Sequence, residues 1–172
     1  DLPVNQTDAD GKTTRYGFDV RNRLLSVTDA RNNTTQMNYN AITGWVERTT
    51  DQLGNHTLFT YYDNGLTKTI TTRNNQTITS VYDNSNRLTS VTAPAINKSF
   101  SYNANDMLTG MTDNNGAMTY NYDNLNRLTA YTDFYGNQVQ YQYDLANNIT
   151  KIIYPGNKAV DYTYDDDNVL HT

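Results

Sequence analysis

Aromatic and apolar residues recur along the chain in pairs two positions apart: Tyr16 and Phe18, Met37 and Tyr39, Phe59 and Tyr61, Phe100 and Tyr102, Tyr120 and Tyr122, Tyr141 and Tyr143, Tyr162 and Tyr164. Only Tyr82 lacks such a partner, with Ser80 in its place. Between the members of each pair stands a mostly polar or small residue, such as Asn38, Thr60, Asn121 or Gln142. Alternation of this kind predicts a strand that buries one face. The second aromatics, from Phe18 to Tyr164, lie 21, 22, 21, 20, 20, 21 and 21 residues apart, the signature of about eight tandem repeats.

Each strand runs into Asp-x-x-Asn, as in Asp123 to Asn126. These short side chains bond their own backbone and tolerate left-handed φ, so a tight turn is expected. A second short strand follows, then Asp-x-x-Gly or a relative of it as the turn to the next repeat. In the second strand the apolar residues are three apart, as in Leu88 and Val91, which a regular strand cannot place on one face. A bulge or burial on both faces is implied. The expectation is an all-β array of ~21-residue β-hairpin repeats spanning 1–172, forming one continuous, curved antiparallel sheet. Sixteen strands at ~4.8 Å would extend roughly 75 Å, and sheets that wide tend to curl or close. The departure from pattern is 40–54, which contains the only Trp, Trp45.

Composition agrees with strands and argues against helix. There is one Glu, Glu47, and few Ala, against an abundance of Thr, Tyr, Asn and Asp. Leu, Ile, Val and Phe total only 32 of 172 residues, a fraction typical of disordered chains. Against disorder stand a net charge of only −5 and 15 Tyr that supply apolar area. Cysteine is absent, so thiolate metal sites and disulfides are excluded. No apolar run reaches membrane-spanning length. With 13 scattered Lys and Arg and a net negative charge, a nucleic-acid partner would meet repulsion.

Tyr122-Asp123 with Asn126-Arg127-Leu128-Thr129, Tyr82-Asp83 with Asn86-Arg87-Leu88-Thr89, and Phe18-Asp19 with Asn22-Arg23-Leu24 resemble the YD or Rhs repeat. Three copies are near consensus, about five are degenerate, and together they cover essentially the whole chain. The resemblance implies a β-sheet spiralling into a hollow shell, as in bacterial Rhs and wall-associated toxins, the C component of insecticidal toxin complexes, and teneurins. In bacterial members the shell encloses a C-terminal toxic cargo. This sequence shows no Asp-Pro-containing core motif, cargo or receptor module and stops within a repeat, so it reads as a fragment of a longer chain.

Candidate chemistry is sparse. His56, in the segment 54–57, reads as a solvated turn residue, and His171 lies about 115 positions away. The carboxylates follow the repeat: Asp19, Asp83, Asp123, Asp144 and Asp165 after the anchor aromatic, and Asp29, Asp51, Asp113 and Asp133 at the other turn. Asp8-Ala-Asp10-Gly11 and Asp165-Asp166-Asp167 are the only calcium candidates, and the first lacks EF-hand spacing. Seven Asn-x-Ser/Thr sequons are close to the roughly five that composition alone produces. Arg23, Arg87 and Arg127 are expected to cover neighbouring Tyr rings or to pair with turn Asp.

Function is accordingly expected to be structural, with no catalytic, cofactor or metal residues. The chain would be a wall segment of a secreted or cell-surface shell or filament, contacting neighbouring repeats of the same or an identical chain and, in the parent, possible encapsulated cargo. The competing reading is a glycan- or cell-wall-binding module that uses the aromatic stripe.

Overall fold

A computed structural model describes residues 4–171. The chain divides into two compact units. One runs to Asn86 and takes in 92–95, and the other holds 87–91 and continues from Ile96. In the first, strands are β1 (Asn5–Thr7), β2 (Thr13–Phe18), β3 (Leu24–Thr28), β4 (Thr34–Tyr39), β5 (Val46–Thr50), β6 (His56–Tyr61), β7 (Thr67–Thr71) and β8 (Thr77–Tyr82). Strand β9 (Leu88–Ala93) has residues in both units. The second adds β10 (Ile96–Tyr102), β11 (Leu108–Asp113), β12 (Gly116–Tyr122), β13 (Leu128–Thr132), β14 (Gln138–Tyr143), β15 (Ile149–Tyr154), β16 (Lys158–Asp161), β17 (Thr163–Tyr164) and β18 (Leu170–His171). Strand order follows chain order from β1 to β16 without a crossover, and β17 with β18 forms a separate two-stranded sheet.

The i, i+3 spacing of the second strands resolves as a bulge. Tyr16 faces Val27 and Phe18 faces Leu24, so the register shifts and Leu25 is the extra residue. The same shift recurs at Glu47, Lys68, Thr109, Thr129 and Thr150. An inserted residue turns the strand over locally, which brings two apolar side chains three apart onto the face of the aromatic pair. The opposite face is polar, and threonine hydroxyls pair across the turns between repeats: Thr7 with Thr13 and Thr28 with Thr34, both at 2.8 Å, and Thr71 with Thr77 at 3.2 Å.

The turns within repeats follow one scheme. The Asp19 amide donates to the Arg23 carbonyl, the Asn22 amide donates to the Asp19 carbonyl, and Asn22 has φ +60°. Asn86, Asp106, Asn126, Asn147 and Asn168 hold the equivalent left-handed position with φ from +60° to +72°. His56 stands one place beyond its turn, as the first residue of β6, exposed, its Nδ1 3.1 Å from the Thr50 hydroxyl. The eighth repeat departs from the pattern. Tyr162 falls between β16 and β17, yet its amide still donates to the Thr150 carbonyl at 2.9 Å.

Neither unit has a second layer packed on the sheet. Among the described residues only Ala130 and Val139 are buried, at 8% each. The apolar stripe is therefore half-buried by its own neighbours along the sheet rather than by a facing layer.

Candidate functional site

All fourteen ladder aromatics are half-buried: Tyr16, Phe18, Tyr39, Phe59, Tyr61, Tyr82, Phe100, Tyr102, Tyr120, Tyr122, Tyr141, Tyr143, Tyr162 and Tyr164. They line one face, and most anchors brace the repeat before them. Tyr39 donates its hydroxyl to the Leu24 carbonyl at 2.7 Å, Tyr61 to Val46 at 2.7 Å, and Tyr102 to Leu88 at 2.9 Å. Tyr122 does so to Leu108 at 2.9 Å, Tyr143 to Leu128 at 2.8 Å, and Tyr164 to Ile149 at 3.0 Å. In each case the acceptor opens a second strand, at the end where the bulge of β3, β5, β11, β13 and β15 leaves a carbonyl to be satisfied. Burial pushes the hydroxyls of Tyr61, Tyr122, Tyr141 and Tyr143 up from their ordinary pKa.

The other ring surface of several anchors is capped. Arg23 lies 4.4 Å from the centroid of Tyr39, Arg87 4.9 Å from Tyr102, and Arg127 4.6 Å from Tyr143. The same guanidinium groups hold the turns. Nε of Arg23 is 2.7 Å from the Asp19 carboxylate and Nε of Arg127 is 2.7 Å from Asp123. Nη1 of Arg127 reaches the next turn, donating to the Asp144 carbonyl at 2.8 Å and to Asn147 Oδ1 at 3.0 Å. Arg87 repeats this with the Asn103 carbonyl and Asp106. Arg23 Nη1 is buried without a partner, because the left-handed residue of its next turn is Gly44, which has no side-chain oxygen to offer.

Turn carboxylates are occupied by the backbone. Oδ1 of Asp123 accepts from the amides of Leu125 at 2.9 Å and Arg127 at 3.0 Å. In the alternate turns the side chain of Asn replaces Arg, as with Asn33 on Asp29, Asn55 on Asp51 and Asn137 on Asp133. The amide of Arg23 and its guanidinium hold Asp19 below the ordinary carboxylate pKa despite some desolvation, and the Asn137 side chain with backbone amides does the same for Asp133. The calcium candidates are used in the same way: Asp8 Oδ1 accepts from Asp10 and Lys12 amides, and Asp165 Oδ1 from Asp167 and Val169 amides. Among the described residues no three His, Cys, Asp or Glu gather as a metal set.

One stretch breaks the scheme, and its sequence signal was the irregular segment 40–54. Trp45 takes the Arg position, its ring 5.2 Å from Tyr61, and in the next turn Tyr62 takes the Asp position and Gly65 the Asn position. Glu47 is the bulge residue here.

The RHS Repeat family profile matches residues 1–41 and 102–138. No curated protein matches the chain. Among solved structures, the TcdB2-TccC3-Cdc42 crystal structure superposes with TM-score 0.74 at 18% identity, over 95% of this chain and 10% of that one. TcdB2-TccC3 without its hypervariable C-terminal region gives 0.73 at 19% identity, over 95% and 10%. A Photorhabdus luminescens Tc holotoxin pore gives 0.72 at 18% identity, over 95% and 10%. The likeness is one of fold, and the chain spans about a tenth of the length of these solved chains.

Proposed function

We propose that the chain, matched by the RHS Repeat family over 1–41 and 102–138, is an array of YD/Rhs repeats throughout, that it forms a stretch of wall in a secreted or cell-surface shell or filament, and that a parent protein uses such wall to enclose a C-terminal cargo. The observation that carries this reading is the cross-bracing of the ladder. Most repeats are tied to the one before by a tyrosine hydroxyl, as in Tyr122 to Leu108, and several to the one after by a cap, as in Arg127 over Tyr143. A single layer braced in this manner is stiff without a second layer, which suits a wall. The reading gives the segment no catalytic role, and the turn carboxylates that recur with the repeat, such as Asp19, Asp123 and Asp165, are engaged by backbone amides. Stripe-wide glycan binding has less support, because guanidinium groups already occupy ring faces that a sugar would need. Limited proteolysis of the secreted parent tests the proposal. Residues following the repeats should resist trypsin, and a ladder-breaking Tyr122→Ala should release them. Cleavage of those residues at equal rates in both proteins would reject enclosure.

A further inference from the structure

The near-consensus repeats cover the next anchor tyrosine with arginine, whereas Trp45 in the second repeat and Tyr62 in the third place an aromatic against it. Trp45 stands where Arg23, Arg87 and Arg127 stand elsewhere and lies tilted on Tyr61. The neighbouring turn has changed to match. A Cβ built on Gly65 would lie 3.2 Å from Trp45 Cζ2, and φ of +87° further favours glycine there. Tyr62, in place of the turn Asp, donates its hydroxyl to the Ser80 carbonyl at 3.1 Å. Departures that fit one another across two repeats mark a built feature rather than a decayed copy.

Trp45 and Tyr62 line an open groove of about 370 Å³ at the turn edge, where the only Trp and the only Glu of the chain meet. Its floor is Trp45 with Tyr61 and Tyr62, and its polar groups are Glu47, Asp63 and Asn40. Asn40 Nδ2 is held only at 3.5 Å by Glu47 Oε2, and the indole N–H of Trp45 donates to no acceptor among the described residues. Asp63 is exposed.

We propose that this groove binds a neutral saccharide, the apolar face of a sugar ring stacking on Trp45 while Glu47 and Asp63 accept from its hydroxyls and the indole and Asn40 donate. A sugar presents the same combination of an apolar face and a rim that both donates and accepts. A cationic ligand fits less well, because Lys68 already stands 5.6 Å over the Tyr62 ring and the groove is open rather than a cage. The site does not depend on the wall reading.

The sole Trp makes the test direct. Cellohexaose, chitohexaose, maltohexaose and xylohexaose are titrated into the 172-residue chain while Trp45 emission is followed, with arginine and choline as cationic controls. The expected result is a saturable emission change with at least one oligosaccharide, weakened tenfold or more in Glu47→Gln and Asp63→Asn. Calorimetry on Trp45→Arg, which restores the consensus cap and is expected to fold, should show binding lost. No response to any oligosaccharide, a response to the cations alone, or sugar binding that survives in Trp45→Arg would each overturn the proposal.

Discussion

Tyr122 is half-buried, donates to the Leu108 carbonyl at 2.9 Å, and shares its face with Tyr120 and Leu128. Two truncations separate these contributions. Tyr122→Phe deletes only the hydrogen bond and should cost about 1 kcal/mol. Tyr122→Ala also removes the ring and should cost roughly 2–3 kcal/mol, below the range for a fully buried aromatic. Tyr164→Ala should cost distinctly less, since its strand belongs to a two-stranded sheet with one neighbour. Urea titrations of the three variants check this, and equal losses at 122 and 164 would contradict a stack of nearest-neighbour repeats. The turn aspartates predict an acid limit. The backbone amide of Arg127 outweighs the opposing desolvation and, with the Arg127 side chain and the Leu125 amide, keeps the Asp123 carboxyl below its ordinary pKa. A folded-state pKa below the unfolded one stabilises above the unfolded value and is lost as pH falls through the folded value. Urea midpoints should therefore be flat from pH 7 to about 5 and fall below pH ~4. Asp123→Asn should flatten part of that decline.

The hairpin and its bulge were legible in the chain because both are written locally. An i, i+2 aromatic pair opposite an i, i+3 apolar pair can share a face only if one residue is extra, and that residue is Thr129 between Leu128 and Ala130. Deleting Thr129 should make Ala130 and Tyr131 exchange faces, and should abolish the cooperative transition of the second unit seen by circular dichroism. The left-handed turn position was legible for the same reason. Asn126 has φ +63°, so Asn126→Ala should cost about 1 kcal/mol, whereas Asn126→Gly should cost little. The arginine caps over neighbouring rings were legible as well, but the tyrosine hydrogen bonds between repeats were not. Nothing in Tyr39 points to a carbonyl 15 residues earlier, because that bond depends on how successive hairpins stack. Trp45 was visible as an exception, but its placement over Tyr61 required knowing that the Arg position caps the following anchor. His56 opens β6 rather than sitting within the turn at 54–57, a shift of one residue at a boundary, where local signals are weakest.

At the scale of the molecule the sheet has two strands with an unpaired side. Among the described residues β1 is hydrogen-bonded only to β2 and β16 only to β15. Such edges present free N–H and C=O groups unless charge, proline or a covering element blocks them. Strand β1 offers no protection, since Asn5, Gln6 and Thr7 are neutral and exposed. Strand β16 has Lys158 and Asp161, but Asp161 is engaged with Lys151 at 2.9 Å. Of the prolines, Pro94 and Pro155 sit in turns and Pro3 lies outside the described residues. In a longer array the adjacent repeats would satisfy both edges. When the 172-residue chain is prepared alone, the expected outcome is end-to-end association that grows with concentration, driven by backbone pairing of β1 on one copy with β16 on the next. A charge on the β1 edge that keeps the acceptor used by the Tyr16 hydroxyl, Gln6→Glu, should shift the association to higher concentration with little change in the unfolding midpoint. Sedimentation velocity over a hundredfold concentration range decides the matter: a monodisperse monomer throughout would mean that the edges are already satisfied within one chain, and the open-edged sheet would have to be given up.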